Sequence, residues 1–185
     1  MSTEVTRTMN DVNALIEELR ALITAPDFGA EERFKVAINR MAGFLADVFG
    51  GEKSEVAFLW RHGDSLSFIW PEYLADAKEL EIRAKLPIAA NIFRSGRPFL
   101  DNRLQEREHM VEYEFVKEEN GEARRIWKMM GVAVAVDNER LGVIQVSRKR
   151  SAFSEPGPDF TPGDLETLEK LAARLGPSLK AVVPF

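Results

Sequence analysis

Residues 126–147 read IWKMMGVAVAV, then DNER, then LGVIQVS. Two apolar runs, 126–136 and 141–147, are joined by the polar stretch Asp137-Asn138-Glu139-Arg140. That is the pattern of a β-hairpin, and a hairpin demands antiparallel pairing. The same pattern recurs upstream, where runs 54–60 and 65–70, rich in aromatic and branched residues, flank Arg61-His62-Gly63-Asp64. Further on, Leu80, Ile82, Ala84 and Leu86 alternate with Glu81, Arg83 and Lys85, which predicts another strand ended by Pro87. Residues 88–95 read as a short helix closed by Gly96, and Phe99-Leu100 as one more short strand.

Helical periodicity flanks this strand set. From Asp11, Val12, Leu15, Ile16, Leu19, Leu22 and Ile23 form an apolar stripe that Pro26 ends. A second helix is predicted from about Gly29 to Val48, with Phe34, Ala37, Ile38, Met41, Phe44, Leu45, Val48 and Phe49 repeating at three and four and Gly50-Gly51 as its stop. At the other end Thr161 is an N-cap, Pro162 suits the first helical position and Asp164 the first turn. Leu165, Leu168, Ala172, Leu175, Leu179 and Val182 then form a heptad-like seam, and Gly176-Pro177 predicts a kink or early stop. Between strands, residues 101–125 form a long, mostly polar excursion. Helices at both chain ends around an antiparallel sheet make an α+β domain. The expected boundaries are a flexible N-terminus at 1–10, a single domain over 11–182 and a tail at 183–185.

Composition narrows the function. The chain has 185 residues, enough for one domain with a real core, with 45% hydrophobic and 30% charged residues. No run approaches the ~18 apolar residues of a membrane span, and Met1-Ser2-Thr3-Glu4-Val5 opens no secretory signal. With no cysteine there is no disulfide, thiol nucleophile or iron–sulfur ligand. Thirty acids against twenty-five bases give a net charge of −5, which argues against a nucleic-acid partner. The expectation is a cytoplasmic protein with no membrane or nucleic-acid role and no cofactor.

Four strings carry a family resemblance: Leu86-Pro87-Ile88-Ala89-Ala90-Asn91-Ile92-Phe93-Arg94-Ser95-Gly96-Arg97-Pro98; Asp101-Asn102; Leu141-Gly142-Val143-Ile144-Gln145-Val146-Ser147-Arg148-Lys149; and Phe160-Thr161-Pro162-Gly163-Asp164-Leu165. In this order and spacing the chain resembles the GAF domain family over roughly residues 10–182. One cue is missing, since residues 132–136 lack the proline the family often has there. The resemblance implies a central antiparallel sheet of about six strands. Terminal helices would cover one face, and the short helix and long loop would roof a small-molecule pocket on the other. It further implies a stand-alone bacterial sensory module in signal transduction, with a signalling protein as partner.

Reactive chemistry finds little support in the residues. Bilin attachment and the free methionine sulfoxide reductase activity of this fold need cysteine. The two histidines, His62 in a turn and His109 in a polar loop, are isolated, so neither a haem nor a metal site is expected. Where cyclic-nucleotide-binding members carry an Asn-Lys pair and an Asp-Glu pair, this chain has Arg148-Lys149 and Pro162-Gly163, so only the lysine survives. No phosphate loop, G-x-S-x-G or H-E-x-x-H is present. The acids Glu112, Glu114, Glu118 and Glu119 read as a solvated face. No enzyme activity is expected.

Alternation puts Ala57 and Leu59 on one face of their strand and Val56, Phe58 and Trp60 on the other. By position, the family's ligand-facing residues correspond to Ala57, Leu59, Trp70, Ile88, Ala89 and Gln145, with Phe68 beside Trp70 on the same face and Trp127 and Met129 closing the pocket. This implies an apolar, aromatic cavity with Gln145 as polar anchor, suited to a planar ligand. The alternative is that the same aromatics fill the space, leaving a pocket-less dimerisation or protein-interaction scaffold. A homodimer through the terminal helices is also expected. The rows Leu15/Leu22 and Ile16/Ile23 exceed one contact, and Leu171 lies off the last helix's seam, so one leucine row would face outward.

Overall fold

The computed structural model describes residues 3–85, 87–104, 115–117, 123–150 and 155–184. Helices α1 (Thr3–Thr24) and α2 (Ala30–Phe49) precede strands β1 (Val56–His62), β2 (Ser65–Trp70) and β3 (Leu80–Glu81). Helix α3 (Ile88–Ser95) leads into β4 (Phe99–Asp101) and β5 (Phe115–Lys117). The long hairpin β6 (Ala123–Val136) and β7 (Glu139–Arg150) then leads to α4 (Pro162–Val182). The strands form one antiparallel sheet in the order β3-β2-β1-β7-β6-β4, with β5 on β6. This is the α+β architecture the alternation and end helices predict.

Local chemistry sets the turns. Asp137 and Asn138 both take positive φ (53° and 64°), the left-handed pair that a two-residue hairpin turn requires and that short polar side chains tolerate. Thr161 caps α4: its hydroxyl accepts from Asp164 N at 3.1 Å, while the Asp164 carboxylate accepts from Thr161 N at 2.7 Å.

Period-two alternation then sorts the sheet into two faces. Val56, Phe58 and Trp60 of β1, Met130, Val132 and Val134 of β6, and Ile144 and Val146 of β7 pack beneath α1, α2 and α4. Leu59 of β1, Leu66 of β2, Leu80 of β3 and Val143 of β7 pack with Ala89, Ile92 and Phe93 of α3 on the other side. One sheet therefore carries two separate apolar cores.

Several expectations are corrected here. α1 starts at Thr3 rather than at Asp11. Of the alternation over 80–86, only Leu80–Glu81 forms a strand, and Leu86 lies outside the described residues. Arg94 of α3 explains this, because its guanidinium takes the carbonyls of Ile82 and Ala84 at 2.9 and 3.0 Å, and Asn91 takes that of Lys85 at 2.8 Å. The segment wraps α3 instead of extending the sheet. α4 continues through Pro177 to Val182. Both leucine rows close within one chain: Leu19, Leu168, Leu171 and Leu175 are fully buried, and Leu22 and Ile23 pack half-buried against the same core. The outward row that motivated a helical dimer is absent, because α1 packs on both α2 and α4.

Candidate functional site

The face covered by α3 holds six of the nine residues that the family resemblance assigned to a pocket. Ala57, Leu59, Phe68, Ile88 and Ala89 all lie in the α3-side core. Gln145 joins them, paired across the sheet with Ala57 on β1 and Gly131 on β6. Since β7 alternates, Gln145 points with Val143 toward α3, while Ile144 and Val146 point to the helices.

Trp70 is not brought to this site. Phe58 pairs with Trp70 but Leu59 pairs with Phe68, so Ile69 is an extra residue in β2. A one-residue bulge inverts the parity of everything beyond it. Trp70 therefore packs against the helix-side core, with its indole N–H donating to Lys53 O at 3.1 Å. Trp127 is likewise a bulged residue, between the pairs Ile126–Lys149 and Lys128–Arg148, and belongs to neither core. Met129, paired with Ser147, is buried but falls outside both clusters. His62 is exposed at the end of β1. His109 and the acids Glu112, Glu114, Glu118 and Glu119 lie outside the described residues.

The geometry under α3 is tight at one point and polar at another. A Cβ placed on Gly131 would sit 2.8 Å from Ile92 Cδ1 and 3.2 Å from Gln145 Cγ. Glycine here lets α3 rest directly on the sheet. Beside that contact, Gln145 is only 7% exposed, and its carboxamide makes no hydrogen bond with any described residue.

Two further β7 residues, Ser147 and Lys149, continue the polar row on this face, and the sequence reading does not assign them to the site. Ser147 donates to Glu55 O at 3.0 Å. The Lys149 ammonium donates to Ser54 O at 2.5 Å and to the Tyr73 hydroxyl at 3.1 Å. The signal was available, since 143, 145, 147 and 149 share one parity along β7. The site thus runs from an apolar end at Leu59 and Val143 to a polar end at Lys149 and Tyr73.

Directly behind it, on the helix face, Arg148 is 4% exposed. Its guanidinium donates to Phe49 O at the end of α2, approaches the Glu55 carboxylate at 3.8 Å and stacks 4.5 Å from the Phe160 ring centroid. Burial pushes this guanidinium below its ordinary value, while the Glu55 and Asp164 charges oppose that shift. Glu55 in turn accepts from Lys149 N at 2.7 Å and Glu52 N at 3.1 Å. Asn102, after β4, brackets the Phe160 backbone with two 2.9 Å bonds. The ends of α2 and β7, the start of β1 and the entry to α4 therefore meet at one buried charge pair. Among the described residues no group of acids and histidines is placed to hold a metal.

The fold can now be set beside known proteins. The GAF domain family model matches residues 18–179. Comparison with curated proteins gives no match. Among solved structures, the GAF domain of a phosphoenolpyruvate-protein phosphotransferase from Coxiella burnetii superposes with a TM-score of 0.65 at 10% identity, over 97% of this chain and 95% of that one. The corresponding domain from Acinetobacter gives 0.63 at 14% identity, over 97% and 95%. The free methionine-R-sulfoxide reductase from Neisseria meningitidis, solved in complex with its substrate, gives 0.58 at 13% identity, over 98% and 93%. At these identities the superpositions speak for the fold alone, whereas the family model spans most of the sequence. The chain belongs to the GAF domain family.

Proposed function

We propose that this GAF domain is a regulatory module that binds a small planar molecule on the α3 face, with Gln145 as its polar anchor. The observation that carries this reading is the buried Gln145 carboxamide without a hydrogen-bond partner among the described residues. Among the described residues, the side-chain atoms sealed from solvent without a partner belong to Arg33 and Arg148, so the Gln145 amide still reaches water, and a ligand offering a donor–acceptor edge would replace that water. Ala57, Phe68 and Ile88, all half-buried, supply the apolar wall. Signalling would run through β7, since each step along it alternates between the ligand face and the core beneath α1, α2 and α4. The reading is of a binding module rather than an enzyme: the thiol chemistry expected of the reductase branch has no cysteine to run on. The cytoplasm is its expected compartment, in keeping with a chain free of cysteine.

A second reading has its own observation. Ile92 meets the sheet at Gly131, and Leu59, Leu66, Val143 and Ile92 are almost wholly buried, as a filled core requires. That favours a scaffold without a pocket. A thermal-shift screen of purines, flavins, aromatic acids and cyclic nucleotides separates the two. A ligand at 100 times its Kd adds about 2.7 kcal/mol of stability. The binding reading expects one class to stabilise wild type and to lose that effect in Gln145→Leu. No shift with any class, or equal shifts in both proteins, supports the scaffold.

A further inference from the structure

Strand β6 is paired with β7 along residues 125–136. On its other side β5 covers residues 123–125 and β4 covers 129–131. Beyond Gly131, the run Val132-Ala133-Val134-Ala135-Val136 has no second partner strand among the described residues. The connection before β4 explains the gap. Gly96 takes a left-handed conformation (φ 68°) and turns the chain away, and Pro98 has no N–H to offer.

Edges of this kind are normally blunted by charge, proline or a bulge, because unpaired N–H and C=O groups template another strand. These five residues carry no charge and no proline, their pairing with β7 shifts register between Val134 and Ala135 where Leu141 is the extra residue, and Ala135 is exposed. A cavity of about 140 Å³ lies alongside, lined by Val132, Ala133, Ala135, Pro98, Glu169 and Ala173. The Glu169 carboxylate, on α4, makes no ion pair or hydrogen bond with any described residue. The Arg140 guanidinium donates to Arg94 O at 2.8 Å and lies beside Gly96, which also lines this cavity.

The overlying helix decides what can dock. α4 packs on β6 and β4 and borders this edge through Glu169 and Ala173. A twofold-related copy pairing through the same edge would bring two α4 helices to about one strand spacing, ~4.8 Å, whereas packed helices need about 8–10 Å. A second copy is sterically refused, while a lone strand with no helical layer fits. We propose that residues 132–136 of β6 are a docking edge for a short extended segment of a partner protein, with a lysine or arginine facing Glu169. Main-chain bonds would supply the affinity and the basic side chain the register.

The test uses two blocked pentapeptides, VAKAV and VAEAV, with amide hydrogen exchange and amide NMR shifts as readouts. The lysine peptide is expected to slow exchange selectively within 132–136 and to bind wild type about three-fold more tightly than the glutamate peptide, the scale of one exposed charge pair. Glu169→Lys, at an exposed position, is expected to reverse that preference. Ala135→Lys, also exposed, is expected to abolish binding of both. Failure of either peptide to protect 132–136 at millimolar concentration overturns the proposal. So does concentration-dependent protection of the same residues by the protein alone, which would make a second copy the occupant. Neither result bears on Gln145.

Discussion

The two faces of the sheet are built from the same strands but do different work. Beneath α1, α2 and α4 the residues are uniformly apolar until Arg148, and three helices seal them. Beneath α3 an eight-residue helix covers a smaller core, and the row on β7 turns from Val143 to Gln145, Ser147 and Lys149. Stability therefore rests mainly on the helix face. The α3 face carries a row of polar side chains of which Ser147 and Lys149 are hydrogen-bonded, whereas on the helix face Arg148 keeps buried guanidinium atoms without a partner.

The largest expected effect strikes the helix face. Leu171→Ala should lose about 2–5 kcal/mol in urea unfolding, because Leu171 is fully buried within one chain. A loss below about 1 kcal/mol would return Leu171 to the surface and reopen the helical dimer. On the α3 face, Gly131→Ala should cost about 1 kcal/mol, since the new methyl meets the end of Ile92 and α3 must lift slightly. If the variant were instead more stable, α3 would not rest on the sheet, and the filled-core reading would lose its support.

The smallest effect lies at the rim. Glu52, on the loop before β1, accepts from Arg124 at 2.7 Å, and that hydrogen bond holds its carboxyl below the ordinary value of 4.5. The folded value is the lower one, so the contribution is complete above 4.5 and fades as pH falls below it. Because Glu52 is largely exposed, the effect should stay under about 1 kcal/mol. Acid titration of stability in Glu52→Gln should show a correspondingly shallower slope than wild type. An identical slope would mean that the pair contributes nothing.

What the sequence revealed depended on the range of each signal. The hairpin 126–147, the sorting of Val56, Phe58 and Trp60 from Ala57 and Leu59, and the cap at Thr161 follow from strictly local rules. Trp70 was misassigned because one extra residue, Ile69, inverts parity, and nothing in the run 65–70 announces a bulge. The alternation after Leu80 is overridden by Arg94, which lies 12 and 10 residues beyond the Ile82 and Ala84 carbonyls that it captures and outside the alternating run. The seam around Leu171 is a true apolar surface. A periodicity does not say whether the covering helix belongs to the same chain, and here α1 and α2 cover it. Five of the nine assigned pocket residues fall in one cluster and Gln145 sits beside it; alternation alone sorted Ala57 and Leu59, and the family resemblance supplied Ile88, Ala89 and Gln145.

The central claim is that the α3 face keeps an unpaired amide for a ligand, and unfolding of Gln145→Leu without ligand tests it most directly. Leucine nearly keeps the volume and removes a polar group that bonds no described residue, so the variant should be no less stable than wild type. A variant less stable than wild type would show that the carboxamide is already satisfied within the fold, and Gln145 would then be a structural residue rather than an anchor.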